Sequence, residues 1–144
     1  GHDVRKSVDA LREAPQIPGR LEAVPGPKSF RVFVDYAHTP DALENVLRTV
    51  RSLEPRRIIT VFGCGGDRDR AKRGPMGRAA EEFSDWCVVT SDNPRGEDPE
   101  AICRDITGGM RARNHEVILD RRAAIRRAIS VAEAGDIVVV AGKG

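Results

Sequence analysis

Arg57-Ile58-Ile59-Thr60-Val61-Phe62 (RIITVF) runs straight into Gly63-Cys64-Gly65-Gly66-Asp67-Arg68-Asp69-Arg70 (GCGGDRDR). The first part is short, apolar and β-branched, which suits a strand buried on both faces of a parallel sheet. The second is a glycine-rich turn ending in basic residues. The same two-part phrase recurs along the chain. Phe30 to Asp35 (FRVFVD) leads into Tyr36-Ala37-His38-Thr39-Pro40. Trp86 to Thr90 (WCVVT) leads into Ser91-Asp92-Asn93-Pro94-Arg95, and Ile137 to Ala141 (IVVVA) into Gly142-Lys143-Gly144. Glu116 to Leu119 (EVIL) is a further run of this type, and Arg20 to Val24 reads as an additional strand.

Helical spacing fills the intervals. Leu43, Val46, Leu47 and Val50 fall at i, i+3, i+4 and i+7, with Thr39 placed to cap and Pro40 at the first helical position. Met76, Ala79, Ala80 and Phe83 repeat the spacing after Pro75, and Ile102, Ile106 and Met110 share a face after Asp98-Pro99. Ala124, Ile125, Ala128, Ile129 and Ala132 follow Asp120 and stop before Gly135, the expected C′ residue. A helix is also expected near Asp3 to Glu13, followed by a Pro/Gly-rich link from Pro15 to Gly19. Strand–helix alternation implies an α/β fold: a Rossmann-like, doubly wound, mostly parallel sheet of about six strands, flanked by helices and joined by right-handed crossovers. Residues 1–17 read as linker or helix, with Gly1-His2 as an expression remnant, and residues 18–144 as one domain.

Composition narrows the function. Apolar residues make up 40% and charged residues 32%, the balance of a globular domain. Aromatics at 4% do not supply a stacking platform for single-stranded nucleic acid, so no nucleic-acid partner is expected. The net charge is +2, and the basic residues are mostly arginine, the better choice where a planar fork must grip carboxylate or phosphate. Cys64, Cys87 and Cys103 are odd in number and lack a CxxC spacing, so neither a disulfide framework nor a zinc site is expected. No run of 18 apolar residues and no signal peptide is visible. A cytoplasmic protein without membrane insertion is the expectation.

Ligands of doubly wound sheets bind outside the carboxyl ends of the strands, and four polar clusters follow four strands here. In GCGGDRDR the glycines permit close approach of an anion, and Arg68, Arg70, Lys72 and Arg73 crowd the segment. The alternative is a long glycine turn with a solvated basic tail. It is not the dinucleotide fingerprint, because Arg68 stands where the third glycine belongs. In SDNPRGEDP, Asn93 precedes proline and is expected to be extended, so that Asn93 and Arg95 project from a stiff loop. An amide and a guanidinium fork suit the ammonium and carboxylate groups of an amino acid; the alternative is a plain Asn-Pro turn. In DYAHTPD, Asp35 can orient a ribose or a metal-bound water, or simply cap a turn. His38 can contact a nucleotide, or be a surface histidine. Lys143 is not a Walker lysine, no GxxxxGK[ST] segment occurs, and no histidine pair has metal-ligand spacing.

Five segments in order, PGRLE (Pro18 to Glu22), DYAHTPD, VFGCGGDRDRAKRGPMG, SDNPRGEDP and VVAGKG, resemble the C-terminal third of the Mur ligases of the MurE type. The resemblance covers nearly the whole chain from Pro18. It implies an amino-acid-binding domain of an ATP-dependent ligase of peptidoglycan synthesis. Such enzymes also carry an N-terminal UDP-binding domain and a central ATPase domain, both absent from this sequence. It implies that ATP, with Mg2+, is held mainly by that central domain. The carboxylate of UDP-N-acetylmuramoyl-L-alanyl-D-glutamate is phosphorylated, and meso-diaminopimelate attacks the acyl phosphate. Carried over, Arg68, Asn93, Arg95 and Gly142 are expected to bind diaminopimelate, with Asp92 to Arg95, Pro94 included, as the recognition segment. Arg20, Asp35 and His38 match nucleotide-proximal segments. No catalytic base and no resident metal site is implied. The family continues AGKG with His-Glu, and that glutamate contributes to the amino-acid site; the present sequence stops at Gly144. The chain is therefore expected to be a domain excised from a longer parent, inactive alone, whose partners include the other domains of its own chain. A folylpolyglutamate-type relative and a non-catalytic nucleotide- or metabolite-binding regulatory module are the alternatives. DNPR speaks against the first, and an upstream P-loop in the same reading frame would speak against the second.

Overall fold

A computed structural model describes residues 19–25 and 29–142. The helix expected near Asp3 to Glu13, and Lys143 with Gly144, lie outside the described residues. The elements in order are β1 (Glu22–Ala23), β2 (Arg31–Asp35), α1 (Pro40–Arg51), β3 (Ile58–Phe62), a 3-10 turn (Arg70–Lys72), α2 (Arg73–Phe83), β4 (Trp86–Val89), α3 (Pro99–Thr107), β5 (His115–Val117), α4 (Arg121–Val131) and β6 (Ile137–Ala141).

Three helices begin on side-chain caps, the first of them the expected Thr39. Thr39 Oγ1 accepts from the Ala42 N–H at 3.2 Å, Asp98 from Glu100 at 3.1 Å, and Asp120 from Ala123 at 2.6 Å. Each cap stabilises its helix by roughly 1 kcal/mol. α2 begins at Arg73, ahead of Pro75, because Asp69 first caps the 3-10 turn through the Ala71 N–H. The expectation for Gly135 needs correction. α4 ends at Val131, its C-cap Ala132 is already extended, and Gly135 (φ 85°) lies in the turn into β6 instead. The chain leaves the helix early because Asp136 must reach Arg57. Its fully buried carboxylate takes Arg57 Nε at 3.2 Å and Nη2 at 2.7 Å, and the Glu133 N–H at 2.8 Å. The expected fourth apolar run, Glu116 to Leu119, pairs as His115–Val117.

The six strands lie in the order β1-β2-β6-β3-β4-β5. All neighbours are parallel except β1, which runs antiparallel to β2. β3 and β6 are buried at every position, as their β-branched and apolar runs demand, and the one polar residue, Thr60, meets Ser84 Oγ at 2.6 Å. One face of the sheet packs against α1, α2 and α3, through Leu43, Leu47, Met76, Ala80, Ile102 and Ile106. The other packs against α4, through Ala124 and Ala128. The outward steps, β2 to β3 to β4 to β5, thus cross on one face, and α4 carries the return to the centre on the other. Right-handed crossovers require this arrangement.

Candidate functional site

Register brings the strand-end loops to one level. Asp35 pairs with Ala141, Val61 with Val140, and Phe62 with Val89. The loops after β2, β6, β3 and β4 therefore start side by side, each about 4.8 Å from the next.

The loops after β3 and β4 interlock. A Cβ on Gly66 would stand only 1.8 Å from the Pro94 carbonyl oxygen, so no side chain fits there. The Gly66 N–H donates to the Asn93 carbonyl at 3.1 Å, and Arg95 Nη1 donates to the Gly66 carbonyl at 2.8 Å. At Gly65 an added Cβ would meet Arg95 Nη1 at 2.9 Å and Arg68 Cγ at 3.8 Å, so both arginines flank this glycine. Asn93 departs from the extended conformation expected before proline: its φ is 48°, and that of Arg95 is 51°. Asparagine tolerates the left-handed region better than most residues, and here the bond to Gly66 holds its carbonyl. Left-handed backbone at a residue with a side chain costs on the order of 1 kcal/mol, so the surrounding contacts must impose it.

Those contacts converge on Arg73. It lies on the buried stripe of α2 with Met76, Gly77 and Ala80, and its side chain is wholly inaccessible. Its two terminal nitrogens donate to Glu97 Oε2 and Oε1 at 2.9 and 2.8 Å, to Asp105 Oδ2 at 2.9 Å, and to the Gly65 carbonyl at 3.3 Å. Glu97 Oε1 also accepts the Asp67 N–H at 2.7 Å, and Asp67 Oδ2 accepts the Gly96 N–H at 2.9 Å. The hydrogen bond from Arg73, reinforced by the Asp67 amide, lowers the Glu97 carboxyl to about 2. The paired carboxylates raise Arg73 above the usual arginine range, Glu97 first, against the opposing effect of burial. Cys64, beneath the same loop, is pushed up to about 11 by desolvation.

The four basic residues of the β3 loop thus divide. Arg73 is buried. Arg70 pairs with Asp105 at 3.2 Å, and Lys72 Nζ donates to the His38 carbonyl at 2.8 Å. Arg68, which is exposed, makes no hydrogen bond or ion pair among the described residues. An anion-binding loop built from all four is not what forms.

At the end of β2, both carboxylate oxygens of buried Asp35 are engaged by backbone, Oδ2 by the Leu21 N–H and Oδ1 by the Ala37 N–H, each at 2.7 Å. This ties the loop before β1 to the site. His38 is exposed, with Nδ1 2.9 Å from the Tyr36 carbonyl. A carbonyl only accepts, so Nδ1 is the donor in this contact. Arg20 is exposed beside this segment.

At the end of β6, Gly142 (φ 99°) donates its N–H to the Asp35 carbonyl at 2.9 Å. A Cβ there would come within 3.0 Å of Asp92 Oδ2, which is buried. Arg121, at the start of α4, donates Nη2 to the Ala141 carbonyl at 3.0 Å. Burial lowers its pKa, and the negative charge of Asp92 partly offsets this.

The structure therefore gathers Arg68, Asp92, Asn93, Pro94, Arg95 and Gly142 around Gly63 to Gly66, and places Arg20, Asp35 and His38 at the adjoining β2 end. Sequence reading missed Glu97 and Arg121, and it counted Arg73 with the anion-binding residues rather than as a buried anchor. A basic residue in register with the apolar stripe Met76-Ala80 was the available sign for Arg73. Arg121 comes shortly after a strand run, beyond Asp120, close to the kind of position already taken as informative elsewhere. Among the described residues no group of three or more His, Cys, Asp or Glu is arranged to hold a metal, and no helix is long and apolar enough to cross a membrane.

A parallel α/β sheet with polar loops converging on its carboxyl edge defines a Rossmann-like ligand-binding domain. The model of the Mur ligase glutamate ligase domain matches residues 19–144, and the chain belongs to that family. It is 56% identical over 138 residues to a UDP-N-acetylmuramoyl-L-alanyl-D-glutamate–2,6-diaminopimelate ligase of Syntrophomonas wolfei, a match spanning 94% of this chain and 28% of that protein. Among solved structures, a ligase of the same description superposes with a TM-score of 0.83 at 44% identity, covering all of this chain and 30% of the other. Mycobacterium tuberculosis folylpolyglutamate synthase superposes at 0.71 with 26% identity, over 94% of this chain and 32% of that one. The chain thus spans less than a third of the length of these relatives.

Proposed function

We propose that this chain is the amino-acid-presenting domain of an ATP-dependent ligase that joins meso-diaminopimelate to UDP-N-acetylmuramoyl-L-alanyl-D-glutamate. In this reading the parent transfers the γ-phosphoryl group of ATP to the substrate carboxylate. The diaminopimelate amine then attacks the acyl carbon, phosphate leaves, and an amide forms. ATP and Mg2+ are assigned to segments outside this chain, which offers neither a P-loop nor a cluster of acidic metal ligands among its described residues.

One observation carries the reading. Arg95 is anchored through Nη1 to the Gly66 carbonyl, and its Nε–Nη2 edge makes no bond among the described residues. That edge is the one that grips a carboxylate bidentately. Diaminopimelate differs from lysine by a carboxylate on its distal carbon. A site built on such a polar contact rejects the analogue lacking it by about 10⁴–10⁵, far beyond the roughly 10–200 available from a methylene. Arg68 supplies a second guanidinium beside Gly65, and Asn93 an amide for the ammonium group. Catalysis then rests on positioning the amine and on neutralising phosphate charge.

The test is Arg95→Ala in the full-length enzyme. Diaminopimelate addition is expected to be abolished while nucleotide binding survives; unchanged diaminopimelate kinetics would remove Arg95 from the site.

A further inference from the structure

We propose that Arg73 and Glu97 form a clasp that holds the two amino-acid loops in their ligand-ready conformation, so that affinity for the amino acid depends on a wholly buried arginine that never touches it. The inference deepens the reading of the strand-end site given above and rests on it.

Three residues with side chains adopt left-handed backbone in these loops: Asp67 at φ 51°, Asn93 at 48° and Arg95 at 51°. Such conformations persist only where their surroundings impose them. Glu97 is where the constraints meet. Its N–H donates to the Pro94 carbonyl at 3.0 Å and closes the turn that carries Arg95. Its carboxylate takes the Asp67 N–H from the facing loop and both terminal nitrogens of Arg73. Asp67 returns the contact through the Gly96 N–H. Arg73 reaches the Gly65 carbonyl of the first loop with the nitrogen that also meets Glu97 of the second.

Arg73 suits this task for two reasons. It is seated on the core stripe of α2, so packing against the sheet sets its position independently of the loops. Its planar fork serves Glu97, Asp105 and Gly65 together, which the single ammonium of a lysine cannot do. With its side chain wholly inaccessible, it contacts no ligand. It is a positioning residue, acting through Gly65 and Glu97 on Arg68, Asn93 and Arg95.

The experiment uses the full-length ligase, with steady-state kinetics in diaminopimelate and in ATP for Glu97→Gln, Arg73→Lys and Arg95→Ala. Glu97→Gln keeps the size of the side chain but sets an amide NH2 where the fork of Arg73 needs an acceptor. It is expected to raise the KM for diaminopimelate about tenfold, since misplacement by about 1 Å costs up to 10²-fold. The KM for ATP, and kcat at saturating diaminopimelate, should stay within about twofold. Arg73→Lys should show the same split. If it does not fold, Glu97→Gln decides alone, at a partly exposed position. A diaminopimelate KM unchanged in folded Glu97→Gln overturns the clasp, and so does an equal loss in kcat and in both KM values, which marks a general defect. Arg95→Ala reports separately. If it is silent while Glu97→Gln raises KM, the clasp stands and the assignment of Arg95 falls.

Discussion

Gly66→Ala tests the interlocking of the two loops directly. The added methyl group would stand 1.8 Å from the Pro94 carbonyl oxygen and 2.5 Å from its carbon, where real Cβ atoms essentially never come closer than 3.0 Å. Both obstacles are backbone, so the loops must part by about 1.2 Å, enough to break the bonds from Gly66 to Asn93 and from Arg95 to Gly66. Two hydrogen bonds at about 1 kcal/mol each, net of exchange with water, plus overpacking of about 1–3 kcal/mol, give a loss of about 3–5 kcal/mol. For a chain of this length about 4 °C accompanies each kcal/mol, so the melting temperature should fall by about 12–20 °C. In the full-length enzyme kcat/KM for diaminopimelate should fall by up to 10². Gly74→Ala is the control. Gly74 lies in the first turn of α2 ahead of Pro75, an added Cβ meets nothing nearer than 3.6 Å beyond its chain neighbours, and the helical gain of an alanine is offset by its crowding against the following proline, so the melting temperature should shift far less than in Gly66→Ala. Circular dichroism melts of the two variants provide the comparison. If Gly66→Ala melts at or above the wild-type temperature, the loops are not locked as described.

Two further outcomes follow from the same geometry. In Asp35→Asn one oxygen replaces two, so either Leu21 or Ala37 loses the acceptor of its N–H; urea denaturation should show a loss of about 1–3 kcal/mol, with faster hydrogen exchange at one of these amides, and a wild-type midpoint would contradict it. Acid should weaken the fold. Glu97 is lowered from 4.5 to about 2 by Arg73 and the Asp67 amide; Asp105 is lowered by Arg73; and Asp136 is lowered because Arg57 and the Glu133 N–H outweigh its burial. Depressed carboxyls lend stability that is present above their unfolded pKa and lost as pH falls through the folded one, here from about 4.5 towards about 2. Denaturation midpoints across that window should drop in the wild type and less steeply in Glu97→Gln; parallel profiles would contradict the pairing.

Element types were legible because local rules and tertiary demands agree. Thr39, Asp98 and Asp120 cap as their side chains allow, and β3 and β6 are apolar at every position but Thr60 because helices cover both faces of the sheet. Strand order was not legible, since nothing in IVVVA says that it inserts between β2 and β3. Gly135 and Asn93 mislead for one reason: a local preference was outweighed by a distant partner, Arg57 through Asp136 in the first case and Gly66 in the second. The strand-end clusters stood out as site material, yet the division of labour among their arginines did not. Arg68 and Arg73 look alike in a basic run, and only packing turns one outward and buries the other.

The position of β6 carries a consequence for biosynthesis. The central plank of the sheet is the last described strand to be translated. Until residues 137–141 emerge from the ribosome, β2 and β3 have no neighbour between them, and their facing edges of unpaired N–H and C=O groups stand open. Closure waits for a contact that spans about a hundred residues of chain, the kind of pairing that is slow and exposes a nascent polypeptide to misassociation. The same insertion seats Gly142 among the loops, so the polar loop edge is completed in the step that completes the sheet.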